Sequence, residues 1–228
     1  MQASLDCTTL ESMTWLAGSG YNLVRLALHG IEYAKADGTK AVGSYTPVLF
    51  ENLAEPIVTG RDDLGFPKLY ADVEIESAGN GSVAISLLWR GTAFGNVRIS
   101  GFSDEEALPR HDSTETALAS DQQCHESTHL DQGDMFYRYI PAIGKPGTTD
   151  VEYAVLCPSA PRSQDSNRPH RLISRSASVE FTSPGWRTLP TLQHVAGKLA
   201  DMPVYGVHRA EKIAGVGVSD FSDAVRLM

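Results

Sequence analysis

Three cysteines, Cys7, Cys124 and Cys157, are too few and too scattered for a disulfide framework or a four-cysteine zinc site in a chain of 228 residues. No apolar run approaches the roughly 18 residues that a membrane span needs, so no membrane partner is expected. Positive charge is short as well. Lys and Arg number 19 against 28 Asp and Glu, a net charge of -9, which is the wrong sign for drawing in nucleic acid or anionic lipid. There is no G-x-S-x-G elbow and no P-loop, and Gly215-Val216-Gly217 lacks the third glycine of a dinucleotide loop. The opening Met1-Gln2-Ala3-Ser4 lacks the basic-then-apolar pattern of a secretory leader, so a reducing, cytoplasmic setting is the expectation.

What is present reads as an ordinary globular chain, 42% hydrophobic and 21% charged with 20 glycines. A β-rich chain of this length is compatible with one domain, 1–228, able to bury about three-quarters of its unfolded surface. Alternation predicts strands over 22–33 and 42–50, with Asp37-Gly38 as the hairpin turn between them. A third strand is expected from Pro56, running into the bend Gly60-Arg61-Asp62-Asp63-Leu64-Gly65. Further strands are expected at 69–75, 82–89, 94–102, 136–140, 152–156, 172–182 and 204–218. Ser103 to Gln132 is a polar stretch of roughly thirty residues, a length that loops seldom reach without a function. After Pro190, the residues Leu192, Val195, Ala196 and Leu199 stand at i, i+3, i+4 and i+7, which predicts a helix; the tail from Ser219 predicts a second, short one.

Among the lysines, Lys68 has a setting of its own. It follows Phe66-Pro67, precedes Leu69-Tyr70, and sits directly after a glycine bend at the mouth of a strand. An ammonium deprived of hydration gives up its proton more readily, and the free amine attacks carbonyls. That is what a Schiff-base nucleophile requires. The alternative is a lysine snorkelling from a strand end with its head in water.

The run Gly60-Arg61-Asp62-Asp63-Leu64-Gly65-Phe66-Pro67-Lys68-Leu69-Tyr70-Ala71-Asp72 resembles the signature of the acetoacetate decarboxylase family: Gly-Arg-acidic, then Gly-aromatic-Pro-Lys, then a strand. The likeness continues through Gly43-Ser44-Tyr45, Glu55-Pro56, Phe136 to Pro141, Val179 to Pro190 and Asp201-Met202-Pro203-Val204. It implies an α+β fold, mainly antiparallel β, a cone-shaped β-barrel or sheet with few helices and Lys68 near the base of its cavity. It also implies an imine between Lys68 and a small or polyketide-like keto acid, followed by decarboxylation, in a homo-oligomer with no metal or organic cofactor. Acetoacetate decarboxylase is itself a standard example of a lysine activated by desolvation or by a neighbouring cation.

Departures from the family pattern fall where the reaction is decided. Leu69 stands where the decarboxylases carry a second lysine, the sequence is expected to begin too late to include their arginine-bearing N-terminal arm, and Leu23 stands near one of their early-strand glutamates. Imine formation survives such changes more easily than decarboxylation does. Relatives that perform aldol, dehydration or cyclisation chemistry, including in secondary metabolism, are therefore competing readings, as is a cavity-binding protein without turnover. An imine is an electron sink for all of these reactions, so the neighbours of Lys68 select among them. The candidates are Arg25 and His29 on the first strand, and Tyr70 and Glu74, expected on one sheet face with Lys68. Trp186 of Pro184-Gly185-Trp186 is expected in the core or on the pocket wall. Arg61 is expected to pair with Asp62 or Asp63.

His125-Glu126-Ser127-Thr128-His129 matches HExxH, which on a helix sets two imidazoles on one face for zinc. Its flanks are polar and poor in helix formers, and no third ligand follows at helical spacing, so a loop with solvated histidines is the expectation. Cys157 before Pro158 is either a nucleophile beside a histidine or, the better reading, a small buried residue at a strand end.

Overall fold

The computed structural model describes residues 2–11, 18–104, 132–158, 171–213 and 223–228. The chain divides into two compact units, residues 1–70 with 112–163 and 218–228, and residues 71–111 with 164–217.

The first unit is built on a seven-stranded sheet. Strands β1 (Ala3–Leu10), β2 (Tyr21–Ala34) and β3 (Lys40–Glu51) pair antiparallel in chain order. Helix α1 (Ala54–Thr59) and a π-helical turn (Gly60–Leu64) lead into the short strand β4 (Lys68–Tyr70), which runs parallel to the end of β3. Pro56, expected in a strand, is the third residue of α1 instead. There its missing N–H costs nothing, because the first turn of a helix has no intrahelical acceptor for it.

In the second unit, β5 (Asp72–Ser77), β6 (Val83–Trp89) and β7 (Thr92–Ser100) form an antiparallel sheet, which β12 (Ser176–Phe181) completes in the order β12-β7-β6-β5. Val83, Ile85 and Leu87 alternate into its core, together with Val73 and Phe94. A three-stranded sheet joins β8 (Ser103–Asp104), β11 (Arg171–Ser174) and β13 (Ala210–Ile213). Helix α2 (Gln193–Ala200) appears where the period predicted it, and buries Leu192, Ala196 and Leu199.

The sheet of the first unit is completed by β9 (Gly133–Pro141) and β10 (Thr149–Pro158). Their alternation sends Met135, Ala154 and Leu156 into one cluster with Ala41 and Leu227, and Phe136, Val155 and Cys157 into another with Phe66. The sheet is thus covered by apolar side chains from both faces. Among the described residues of the tail, 223–228, Val225–Leu227 form a strand, β14, paired with β10, where a helix was expected. It buries Leu227 and lays the Arg226 guanidinium 4.3 Å from the Tyr153 ring centre.

Three expected strands are broken or shortened. The 69–75 strand divides at Ala71 into β4 and β5, which belong to different sheets. Lys68, Tyr70 and Glu74 therefore do not share the continuous face that alternation predicted. The 172–182 strand divides at Arg175, because the Ser174 hydroxyl bonds the Ser100 carbonyl and accepts the Ser176 N–H, replacing the ladder locally. Of 204–218 only β13 is a strand among the described residues.

With two α-helices among the described residues and mixed, mainly antiparallel sheets, the architecture is the expected α+β class. No helix is long and apolar enough to cross a membrane among the described residues.

Candidate functional site

The lysine motif folds into a tight hook. After α1 the π-helical turn ends at Gly65, whose φ of 79° is a left-handed conformation that suits glycine. The Phe66 N–H then bonds back to the Gly60 carbonyl and the Lys68 N–H to the Phe66 carbonyl. Phe66 is anchored by stacking on buried Phe136, with ring centres 4.2 Å apart. Arg138 clamps the turn by donating to the carbonyls of Asp62 and Asp63. Arg61, expected to pair with an aspartate, donates instead to the Lys68 carbonyl at 2.8 Å, because the turn carries its side chain toward β4.

This hook buries the Lys68 side chain to 11% exposure. A Cβ on Gly60 would stand 2.5 Å from Lys68 Cε and 2.6 Å from Nζ, so the amine lies against a backbone surface that only glycine leaves open. Phe66 flanks the amine, 5.8 Å from its ring centre. The expected apolar setting is only half of the environment, however. Nζ stands 2.8 Å from Glu51 Oε1 and donates to the Pro56 carbonyl at 3.0 Å.

Glu51 closes β3 and is 1% exposed, a carboxyl inside the protein. Burial pushes it above the ordinary carboxylate range, against the downward pull of its hydrogen bond to Lys68 and of the lysine charge. Its second oxygen, Oε2, is buried without a hydrogen-bond partner among the described residues. Tyr21 feels the same group: burial first, then the Glu51 charge, pushes its phenol up to about 12.

Register explains why these groups meet. Leu49 pairs with Lys68 and Glu51 with Tyr70, and paired residues project to the same side of a sheet. On the other side of β3, Arg25 pairs with Leu49 and Leu23 with Glu51. Arg25, Leu49 and Lys68 therefore form one row, with Leu23, Glu51 and Tyr70 beside it on the same face. Arg25 lies about 10 Å from Lys68, two strand spacings away. Leu23 and Glu51 thus stand opposite each other, with Glu51 one strand nearer Lys68.

Of the other expected site residues, Arg25 is held between Asp6 and Asp134 at 2.6 and 2.7 Å. His29 bridges two hydroxyls, Nδ1 to Ser44 at 2.8 Å and Nε2 to Ser4 at 3.0 Å. Tyr70 is 42% exposed. In the second unit, Glu74 is exposed on β5. Trp186, 70% exposed rather than in the core, lines a cavity of about 320 Å³ with Gln193, His194, Lys198 and Asp201. Cys157 is buried in the Phe66–Phe136 cluster. The HExxH run 125–129 and Cys124 lie outside the described residues, and no group of three potential metal ligands occurs among the described ones.

Glu51 is the functional candidate that alternation hid. It ends the run Pro47-Val48-Leu49-Phe50-Glu51, where a terminal carboxylate reads as solvated. Only its parity with Leu49, and the parallel pairing of β4 beside it, reveal that it points at the lysine.

No family model matches the chain, and no curated protein matches its sequence. Solved structures do. An acetoacetate decarboxylase structure superposes with a TM-score of 0.58 at 11% identity, over 92% of this chain and 70% of its own. The acetoacetate decarboxylase of Legionella pneumophila subsp. pneumophila str. Philadelphia 1 gives a TM-score of 0.58 at 13% identity, over 92% of this chain and 68% of its own. The chain has the acetoacetate decarboxylase-like fold. At such identities the likeness fixes the fold and leaves the reaction to the site. Within this acetoacetate decarboxylase-like fold, a part-buried lysine paired with a buried glutamate is the arrangement from which chemistry must be argued.

Proposed function

We propose that the protein is an enzyme that forms a Schiff base through Lys68 with a small or polyketide-like keto acid and decarboxylates it. The observation that carries this reading is the amine itself: 11% exposed, fixed by two polar partners, and flanked by Phe66 in the segment that resembles the lysine signature of this fold. Neutral amine adds to the substrate carbonyl, water leaves, and the resulting iminium accepts the electron pair released from the breaking carbon–carbon bond. Loss of CO2 gives an enamine, which takes a proton at carbon before hydrolysis frees the amine. Arg25 and Tyr70 share the Lys68 face and are proposed to contact the substrate. The same proposal includes a cytoplasmic homo-oligomer, which light scattering checks.

A second reading is aldol, dehydration or cyclisation chemistry on the same imine. Glu51 favours it, because a carboxyl 2.8 Å from the reacting nitrogen handles protons and repels a substrate carboxylate placed beside it. Borohydride reduction in the presence of a panel of 2- and 3-oxo acids tests both readings. Mass added at Lys68, and lost in Lys68→Ala, is expected. CO2 release then separates decarboxylation from the second reading. If no lysine is modified and Lys68→Ala binds the same acids, the protein is a binder without turnover.

A further inference from the structure

We propose that Glu51 is the acid/base residue of the Lys68 site, carrying protons for imine formation and then for enamine formation. This rests on the Schiff-base reading and adds to it the group that moves the protons.

Lys68 Nζ meets two polar groups among the described residues, Glu51 Oε1 and the Pro56 carbonyl. A peptide carbonyl accepts a hydrogen bond and does not take the proton at neutral pH, so Glu51 is the base in contact with the nucleophile. A purely structural ion pair at this depth is expected to have the remaining lone pairs satisfied, since an unmet buried charge is costly. Here Oε2 is buried and has no donor among the described residues, which leaves one carboxyl oxygen open to hold a proton or to receive one from a bound molecule. The backbone fixes the arrangement: Glu51 and Lys68 project from paired strands onto one face, and Gly60 lets the amine lie close. Burial favours the neutral carboxyl, as a proton carrier requires.

The ammonium of Lys68 passes a proton to the Glu51 carboxylate, giving free amine and carboxylic acid. The amine nitrogen bonds the substrate carbonyl carbon, the C=O π pair moves to oxygen, and that oxygen takes a proton from the nitrogen, giving a neutral carbinolamine. Glu51 protonates the hydroxyl, the C–O bond breaks, water leaves, and the nitrogen lone pair forms the iminium. The regenerated carboxylate then removes a proton from the carbon next to the iminium, whose C–H electrons form the enamine. The carbon bonded to Nζ is one bond from an atom that is itself 2.8 Å from Oε1, which keeps the neighbouring carbon within reach of the carboxylate.

The experiment uses the full chain with pyruvate, following two readouts: mass added by borohydride at Lys68, and exchange of the pyruvate methyl protons in D2O by NMR. Wild type is expected to do both. Glu51→Gln, nearly the same shape, is expected to lose exchange by about 100-fold or more while its thermal melt stays cooperative. Glu51→Asp, which keeps the carboxyl on a shorter arm, is expected to exchange faster than Glu51→Gln. The proposal is overturned if Glu51→Gln exchanges at the wild-type rate, or is trapped faster than wild type, because Glu51 would then only hold the ammonium. Should Glu51→Gln not fold, Glu51→Asp decides: exchange unchanged from wild type overturns the proposal, and a fall of tenfold or more supports it. If wild type is not trapped at all, the Schiff-base reading fails and takes this proposal with it; trapping without Glu51 dependence overturns this proposal alone.

Discussion

Gly60→Ala isolates the position of the proposed nucleophile, Lys68, from its chemistry. Gly60 has φ -65° and ψ -33°, helical values that alanine adopts freely, so the backbone is not strained and gains up to about 1 kcal/mol of helix propensity. The new methyl meets Lys68 Cε at 2.5 Å, Nζ at 2.6 Å and Cδ at 2.7 Å. Carbon contacts settle near 3.5 Å, so the end of the lysine must move by roughly 1 Å. A flexible side chain does this cheaply, and the fold survives. The amine leaves its place between Glu51 and the Pro56 carbonyl, however, and a displacement of this size costs on the order of 100-fold in rate. Borohydride trapping at saturating pyruvate, read by mass at Lys68, is expected to slow by about that factor, while unfolding in urea changes by less than about 2 kcal/mol. Trapping within twofold of wild type, with the variant folded, would refute the claim that a fixed amine position matters.

Three further outcomes follow from the same geometry. Gly65→Ala combines a left-handed φ of 79° with a Cβ 2.9 Å from Arg138, and is expected to cost about 1–2 kcal/mol in urea unfolding; an unchanged midpoint argues against a strained turn. Burial chiefly, with Asp6, pushes the Cys7 thiol up to about 12, and burial with Asp134 pushes Cys157 up to about 11. At pH 8 about a thousandth of Cys157 is thiolate, so neither cysteine is expected to take up iodoacetamide before unfolding, as peptide mass mapping would show. Because burial raises Glu51 on folding, its contribution favours the fold below its unfolded value of about 4.3 and is lost as pH rises through the raised folded value. Tyr21, at about 12, stays neutral in that window. The stability of wild type minus that of Glu51→Gln is therefore expected to fall from about pH 4 upward in parallel urea melts, and a rise contradicts the sign.

The lysine hook was legible in the sequence because its parts are local. A glycine bend, Phe66-Pro67 and a following strand determine where Lys68 starts, and the periodicity of Leu192, Ala196 and Leu199 determines α2. Hydrophobic alternation likewise determined the long strands β2 and β3, whose patterns depend only on which side faces the core.

Other features depended on partners far along the chain. Whether 69–75 is one strand or two is decided by which sheet each half joins, and alternation is blind to a break at a small buried residue such as Ala71. The tail became a strand because β10 offered it an edge and a place for Leu227. Glu51 is the sharpest case. Its sequence neighbours describe a strand end, and nothing local says that β4 returns parallel beside it. Sequence alone determined the nucleophile candidate and the class of fold; tertiary pairing alone decided that a buried carboxyl stands against that nucleophile, because cross-strand register is set by the folding of the whole sheet and not by either segment.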